Sequence, residues 1–337
     1  HQPQTGQNGE KEPMRYLFLL NPAAGREDCT ERLRLQAEGA LRRAGIPREA
    51  WAIRRTEYRG HARALAEAAA REGGPVRIYA AGGDGTFSEA LAGARPYPEA
   101  AVGCIPTGSG NDFLRTFGSK PEFLDLDGQL AGSVVPLDLM ETDLGPSVSV
   151  CAAGLDAQVA AGAARFRHNP LFHGEAAYLL SAAREICGPI GRQMRFTVDG
   201  ETFEAPVMMC AACNTRDYGG GFRAAPAARP DDGLIDLIVV RRISRATLLR
   251  LLNRYKQGRH FAGGALAPDL SRYLIYRQAR HITIELADGR GPITATADGE
   301  CAEVSRLEIR LAPLAARVIL PAAVCRRQHA AARQATV

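Results

Sequence analysis

Apolar positions follow two rhythms along the chain, and the rhythm changes near residue 136. In the first part, residues 15–20, 51–55, 76–81 and 101–105 are short apolar runs that read as buried strands. Between them lies helical spacing. Leu33, Ala37 and Leu41 share one face of a helix expected over 30–44, with Gly45 as its stop. Residues 62–71 form an alanine-rich helix closed by Gly73 and Gly74. NPAAGR at 21–26 is a turn, helical spacing resumes at Phe87, and a short helix follows Asp112. Strands alternating with helices predict an α/β domain: a mostly parallel sheet with helices on both faces.

From about residue 134 the segments VVPLDLMET, VSVCAA, RQMRFTVDG, ETFEAPVMMCAA, LIDLIVV, RYLIY, HITIELA, PITATA and SRLEIRL are strand-like, several with period-two alternation. Asp199-Gly200 marks a tight hairpin. Helices are expected at about 156–165, 174–187 and 244–257. This pattern predicts a second, mainly antiparallel β-sandwich domain over 137–313. The first domain then covers 14–136 plus about 314–325, where 316–321 returns as a final strand. Residues 1–13 are polar and patternless and carry no fold information.

In a parallel sheet, ligands collect beyond the carboxyl ends of the strands. Asn21, Thr56, Gly82 to Thr86 and Ser109 all follow strands directly, so they converge on one rim. AAGGDGTFSEAL at 80–91 is the densest of these stretches: strand, glycine turn, helix. That order aims backbone N–H groups and a helix N-terminus at a phosphate, and glycine lets the backbone approach closely. Asp84, set among donors that favour anions, makes sense if a metal ion shares the site. The plainer reading is a glycine-rich βα turn. Asp112 follows a second glycine turn, and Asp298-Gly299-Glu300 places two carboxylates at a strand end. Paired carboxylates can raise one pKa toward the working range of a general base; a solvated hairpin turn explains the same spacing.

Composition narrows the classes. The balance of 42 basic and 37 acidic residues gives +5, which favours an anionic membrane surface but is too diffuse for nucleic acid. An aromatic content of 6% also argues against base-stacking platforms. No run of 18 apolar residues occurs, so no helix spans a membrane. Eight cysteines are scattered along the chain, and the one close pair, Cys210 and Cys213 in an apolar run, reads as buried structural thiols, which implies a reducing, cytosolic compartment. No lysine follows a glycine, which excludes a Walker A loop; Thr107 breaks GxSxG, and HExxH is missing.

Taken together, NPAAG at 21–25, TEYRGHA at 56–62, GGDGTFSE at 82–89 and PTGSGNDF at 106–113 resemble, in order and spacing, the diacylglycerol kinase catalytic-domain family. Within it they resemble the bacterial lipid kinases related to sphingosine and ceramide kinases. GLDA at 154–157, the run at 214–236 and DGE at 298–300 match as well, so the resemblance covers about 14–320. GGDGT is shared with NAD-kinase relatives, whereas DDGLID and DGE favour the lipid-kinase branch.

The resemblance implies ATP in a cleft between the domains, touched by Asn21, Pro22, Gly25, Thr56, Gly82, Gly83, Asp84, Gly85, Thr86, Ser88, Ser109 and Asp112. Family members usually carry Thr where Ser109 stands. Asp84 and Asp112 would organise a Mg²⁺–phosphate site, and Glu300, helped by Asp298, would be general base on a lipid hydroxyl. A second, structural Mg²⁺ would sit at Asp232 with the carbonyls of Arg229 and Leu234, although the residues alone read as a plain turn. Asp156 would face the lipid head group. His61 reads as a helix-start residue, and 163–173 mixes aromatics and cations that could rest on a bilayer or form a surface loop. The expectation is an ATP- and Mg²⁺-dependent lipid kinase, diacylglycerol-like first and sphingoid-like second, cytoplasmic and peripheral to the inner face of the membrane. A homodimer stays open. The rivals are an NAD kinase-like enzyme and a catalytically silent nucleotide- or lipid-binding regulator.

Overall fold

A computed structural model describes residues 12–25, 27–108, 110–155, 157–159, 162 and 191–335. Ser109, Asp156, the stretch 163–173 and the helix expected at 174–187 lie outside the described residues, as does most of the one expected at 156–165.

The N-terminal part alternates as expected: β1 (Arg15–Leu20), α1 (Thr30–Arg43), β2 (Trp51–Arg55), α2 (His61–Arg71), β3 (Val76–Gly82), α3 (Asp84–Ala94) and β4 (Ala100–Pro106). The strands pair in parallel in the order β2–β1–β3–β4. All seven residues of β4 are buried, which is what a parallel strand covered on both faces requires. α1 turns Leu33, Ala37, Ala40 and Leu41 to one face of the sheet, while α2 and α3 cover the other with Ala62, Ala66, Phe87 and Leu91. Helical spacing was expected from Phe87, but α3 starts at Asp84, three residues earlier. Extended Gly83 is its N-cap, and the acidic Asp84 complements the positive end of the helix. Three short helices follow, α4 (Asp112–Arg115), α5 (Lys120–Leu124) and α6 (Leu126–Leu130).

The remaining strands are β5 (Ser133–Thr142), β6 (Gly145–Ser147), β7 (Val150–Gly154), β8 (Arg192–Val198), β9 (Glu201–Cys213) and β10 (Ile235–Arg241). After α7 (Arg245–Lys256) come β11 (Phe261–Ala262), β12 (Ala265–Leu266), β13 (Leu274–Ala279), β14 (His281–Leu286), β15 (Ile293–Ala297), β16 (Glu300–Val304) and β17 (Arg306–Leu320). The helix α8 (Ala322–Ala335) closes the chain. Pairing among β7 to β10 and β13 to β16 is antiparallel. The β8–β9 hairpin turns at Asp199-Gly200 with both φ positive, the type I′ geometry that the Asp-Gly pair favours. Along β9 the side chains alternate: Cys210 and Ala212 enter the core enclosed by the antiparallel strands, whereas Met209, Ala211 and Cys213 face a separate cluster beneath α7.

One strand joins the two parts. The first half of β17 pairs antiparallel with β14, its end pairs in parallel with β4 at Val318 and Ile319, and β5 runs antiparallel along its length. Residue 136 therefore falls inside β5, and the return at 316–321 is the end of one 15-residue strand. The β5–β17 register shifts between Ala312 and Ala316, where Leu314 takes φ of +51°. Asp138, fully buried on β5, holds that bulge by accepting the Leu314 N–H at 2.8 Å.

The α2–α3 crossing is built from small residues, and Gly93 is where they meet most closely. A Cβ there would lie 2.2 Å from the Arg63 carbonyl oxygen. Gly93→Ala would gain about 1 kcal/mol of helix propensity. Forcing two helix backbones apart costs about 1–3 kcal/mol, so the clash decides the sign. Urea unfolding is expected to show net destabilisation; an unchanged or raised midpoint would contradict this packing.

Candidate active site

The turns after β1, β3 and β4 interlock at the carboxyl edge of the sheet. Asn21 donates its N–H to the Ala81 carbonyl (2.9 Å) and its Nδ2 to Thr86 Oγ1 (2.8 Å), tying the first turn to α3. Its Oδ1 accepts the Ala23 N–H, which shapes the turn through Pro22. Gly82 O accepts the N–H groups of Thr107 and Gly108 and the Asn111 Nδ2, each at 3.0 Å. Side chains are excluded here: a Cβ on Gly108 would lie 2.5 Å from the Gly83 Cα, and one on Gly25 (φ +83°) would lie 2.6 Å from the Thr107 oxygen. Gly85 differs, since nothing lies within 4 Å of a Cβ there and the α3 N-terminus faces open space. Thr56, buried after β2, donates its N–H to Leu20 O at 2.9 Å. Asn21, Pro22, Gly25, Gly82, Gly83, Asp84, Gly85 and Thr86 thus share one rim, with Thr56 beside β1.

Asp84 turns back to receive the next glycine turn. Its carboxylate accepts the N–H groups of Asp112 (3.1 Å) and Phe113 (3.3 Å). Burial, and then the neighbouring Asp112 charge, push its pKa up to about 6. Asp112 is buried too, and desolvation raises its pKa. It accepts the Gly220 N–H at 2.7 Å and Arg115 Nε at 3.2 Å.

The DGE hairpin reaches this rim from the other part of the chain. Asp298 and Gly299 form the turn between β15 and β16, both with positive φ. Asp298 is buried, whereas Gly299 beside it is exposed. The Asp298 carboxylate accepts Ser147 Oγ (2.8 Å), the N–H groups of Val148, Ser149 and Val150 (2.7–3.0 Å), and Ser88 Oγ on α3 (2.8 Å). Five donors fill its acceptor capacity. Glu300 forms an ion pair with Arg59, from the loop between β2 and α2. His61 accepts the Glu57 N–H and stacks on Tyr58, a helix-start role.

Asp232 joins a different network. Its Oδ1 accepts the Leu234 N–H at 3.0 Å, while Gly233 donates its N–H to Asp138 at 2.7 Å. Burial raises the pKa of Asp232. Among the described residues, no three His, Cys, Asp or Glu side chains group closely enough to hold a metal ion. A site there would depend on carbonyls such as those of Arg229 and Leu234.

The sequence matched the run at 214–236 but assigned no role to its loop at 217–222 or to the cavity behind it. A cavity of about 260 Å³ lies between α7 and the outer face of β9 and β10, lined almost wholly by apolar side chains. Tyr218 and Phe222 belong to its wall, and Gly220 between them donates to Asp112. Arg59 was missed as well, because nothing local to TEYRGHA indicates a partner at position 300.

Asp84 makes stability depend on pH. A carboxyl whose folded pKa lies above its unfolded value binds its proton more tightly when folded, so stability falls as pH rises from about 4 to about 6. In chelator, the wild type is expected to lose about 1–2 kcal/mol more across that window than Asp84→Asn, the partial exposure of Asp84 limiting the effect. Parallel urea-stability profiles for the two proteins would contradict the assignment.

Comparison with known proteins accounts for both parts. The model of the diacylglycerol kinase catalytic domain matches residues 15–142, and that of the YegS C-terminal NAD kinase beta sandwich-like domain matches residues 149–320. A Pseudomonas aeruginosa protein named "Probable lipid kinase YegS-like" is 31% identical over 91% of this chain and 94% of its own length. A Mycobacterium tuberculosis diacylglycerol kinase is 31% identical over 75% of this chain and 80% of its own. A crystal structure of a Bacillus anthracis diacylglycerol kinase superposes with a TM-score of 0.66 over 92% of this chain and 98% of that one; at 19% identity the likeness is one of fold. The chain belongs to the diacylglycerol kinase catalytic-domain family, a family of kinases, and carries the YegS-type C-terminal domain.

Proposed function

We propose that the protein transfers the γ-phosphate of ATP, with Mg²⁺, to a hydroxyl of a membrane lipid, diacylglycerol-like first and sphingoid-like second. The observation that carries this reading is the junction at 217–222. One loop walls an apolar cavity suited to acyl chains and, at Gly220, caps a carboxylate of the phosphate rim. A lipid lying in that cavity brings its polar end toward Asp112. Relatives named lipid kinase and diacylglycerol kinase support the same substrate class.

On this reading Asn21, Pro22, Gly25, Thr56, the glycine turn 82–86, Ser88 and Ser109 cradle the nucleotide through backbone N–H groups and hydroxyls. Asp84 and Asp112 would hold Mg²⁺. The fit is chemical: two neighbouring carboxyls with raised pKa values are what a cation would relieve. Bound there, the ion would neutralise charge on the phosphates. Glu300 accepts the proton of the acceptor hydroxyl, with Arg59 steering its carboxylate. Asp298 holds the hairpin that carries Glu300. Asp156 would meet the lipid head group, and a second ion at Asp232, with the Arg229 and Leu234 carbonyls, would brace the turn before β10. The enzyme would work at the inner face of the cytoplasmic membrane, in keeping with the lack of any membrane-crossing helix among the described residues.

The test is transfer of labelled γ-phosphate into diacylglycerol, phosphatidylglycerol, sphingosine, ceramide and NAD in mixed micelles. Label is expected in a lipid; label in NAD alone would overturn the reading. Glu300→Gln should keep ATP binding and lower turnover on the order of 10²–10⁴-fold. Near-wild-type turnover in that variant would remove Glu300 from the mechanism.

A further inference from the structure

The helix α7 has two faces of different chemistry. Leu248, Leu251, Leu252 and Tyr255, at i, i+3, i+4 and i+7, line the apolar cavity. Leu249 points the other way and is 64% exposed, the most exposed large hydrophobic residue among those described. It is set in positive charge. Residues 241–259 contain seven arginines and lysines (Arg241, Arg242, Arg245, Arg250, Arg254, Lys256 and Arg259) and no acidic residue. The whole chain carries +5, so the rest of the molecule is net negative and this segment concentrates the basic charge. Arg254 is paired with Asp269 at 2.5 Å, whereas Arg250 is exposed on the outer face. Lys256 both lines the cavity and is exposed, with its ammonium 5.4 Å over the Phe222 ring, so the cationic flank of α7 reaches the cavity edge.

We propose that the outer face of α7, with Leu249 at its centre and Arg245, Arg250 and Lys256 around it, is the surface by which the protein lies on an anionic bilayer. A helix with an apolar residue ringed by cations, and no acids, matches the interface between acyl chains and anionic head groups. The same helix walls the cavity, so docking through it brings the cavity edge to the source of its ligand. This inference rests on the reading of the cavity as a lipid site, and the experiment separates the two.

The test uses Leu249→Glu, Arg250→Glu and the double variant, none of which alters a cavity-lining residue. Co-sedimentation is measured with phosphatidylcholine vesicles, with and without phosphatidylglycerol, at low and high salt. Phosphoryl transfer is measured to long-chain diacylglycerol in those vesicles and to a short-chain, water-soluble diacylglycerol. The wild type should bind the anionic vesicles in a salt-sensitive way, and the double variant about tenfold or more weakly. Transfer to the vesicle-borne substrate should fall in step, while transfer to the soluble substrate stays unchanged. If the wild type phosphorylates neither lipid yet the double variant still loses vesicle binding, the docking face stands and the substrate reading fails. Unchanged vesicle binding in the double variant overturns the proposal. So does equal loss of activity on both substrates. A shift from dimer to monomer in sedimentation velocity, with vesicle binding intact, would assign the face to a second copy of the chain and likewise overturn it.

Discussion

The buried Asp298 carboxylate ties the DGE hairpin to the rim of the parallel sheet. Asp298 sits in a hairpin turn in the left-handed region, φ +44°, and its side chain enters the loop between β6 and β7 rather than water. Burying a carboxylate is costly unless its lone pairs are filled. Here three consecutive backbone N–H groups and two hydroxyls fill them, and charge-assisted hydrogen bonds of this kind are the stronger class. Ser88 comes from α3, directly behind the glycine turn at 82–85. The bond therefore crosses from the antiparallel strands to the parallel sheet and fixes where Glu300 emerges.

A second buried carboxylate plays the same part further along the seam. Asp138 accepts the Leu314 N–H at the bulge of β17 and the Gly233 N–H at the turn before β10. Because β17 pairs with β14 at one end and β4 at the other, that bulge is where the antiparallel part hands over to the parallel one. The chain thus uses acidic side chains in two ways. Asp138, with two backbone N–H groups, and Asp298, with five donors, shape the backbone. Asp84 and Asp112 keep raised pKa values at the rim, where a cation and phosphates would meet.

The strands at 15–20, 51–55, 76–81 and 101–105 were legible because apolar runs between helical stretches have few other solutions in a buried parallel sheet. The start of α3 was not, since glycine at 85 argues locally against a helix, and the open space before Asp84 exists only once the turns have interlocked. The boundary at 136 marked a real change of rhythm, but β5 crosses it to follow β17, a pairing with residues far along the chain. The spacing of Asp298 and Glu300 by itself favoured a solvated turn over a catalytic pair. The Asp298 side chain is not solvated, and its spacing could not show this because its partners lie 148–210 residues away in sequence. The basic stretch 241–259 was visible all along; averaging charge over 337 residues hid it.

On the proposed mechanism the two acidic residues of the hairpin have separable duties, Asp298 holding the turn and Glu300 serving as the base. Hydrogen–deuterium exchange of the backbone amides of Val148, Ser149 and Val150 tests this most directly, compared between the wild type, Asp298→Asn and Glu300→Gln. The amides should lose protection in Asp298→Asn and keep wild-type protection in Glu300→Gln. Protection that survives in Asp298→Asn, or collapses in Glu300→Gln, would contradict the division of labour between them.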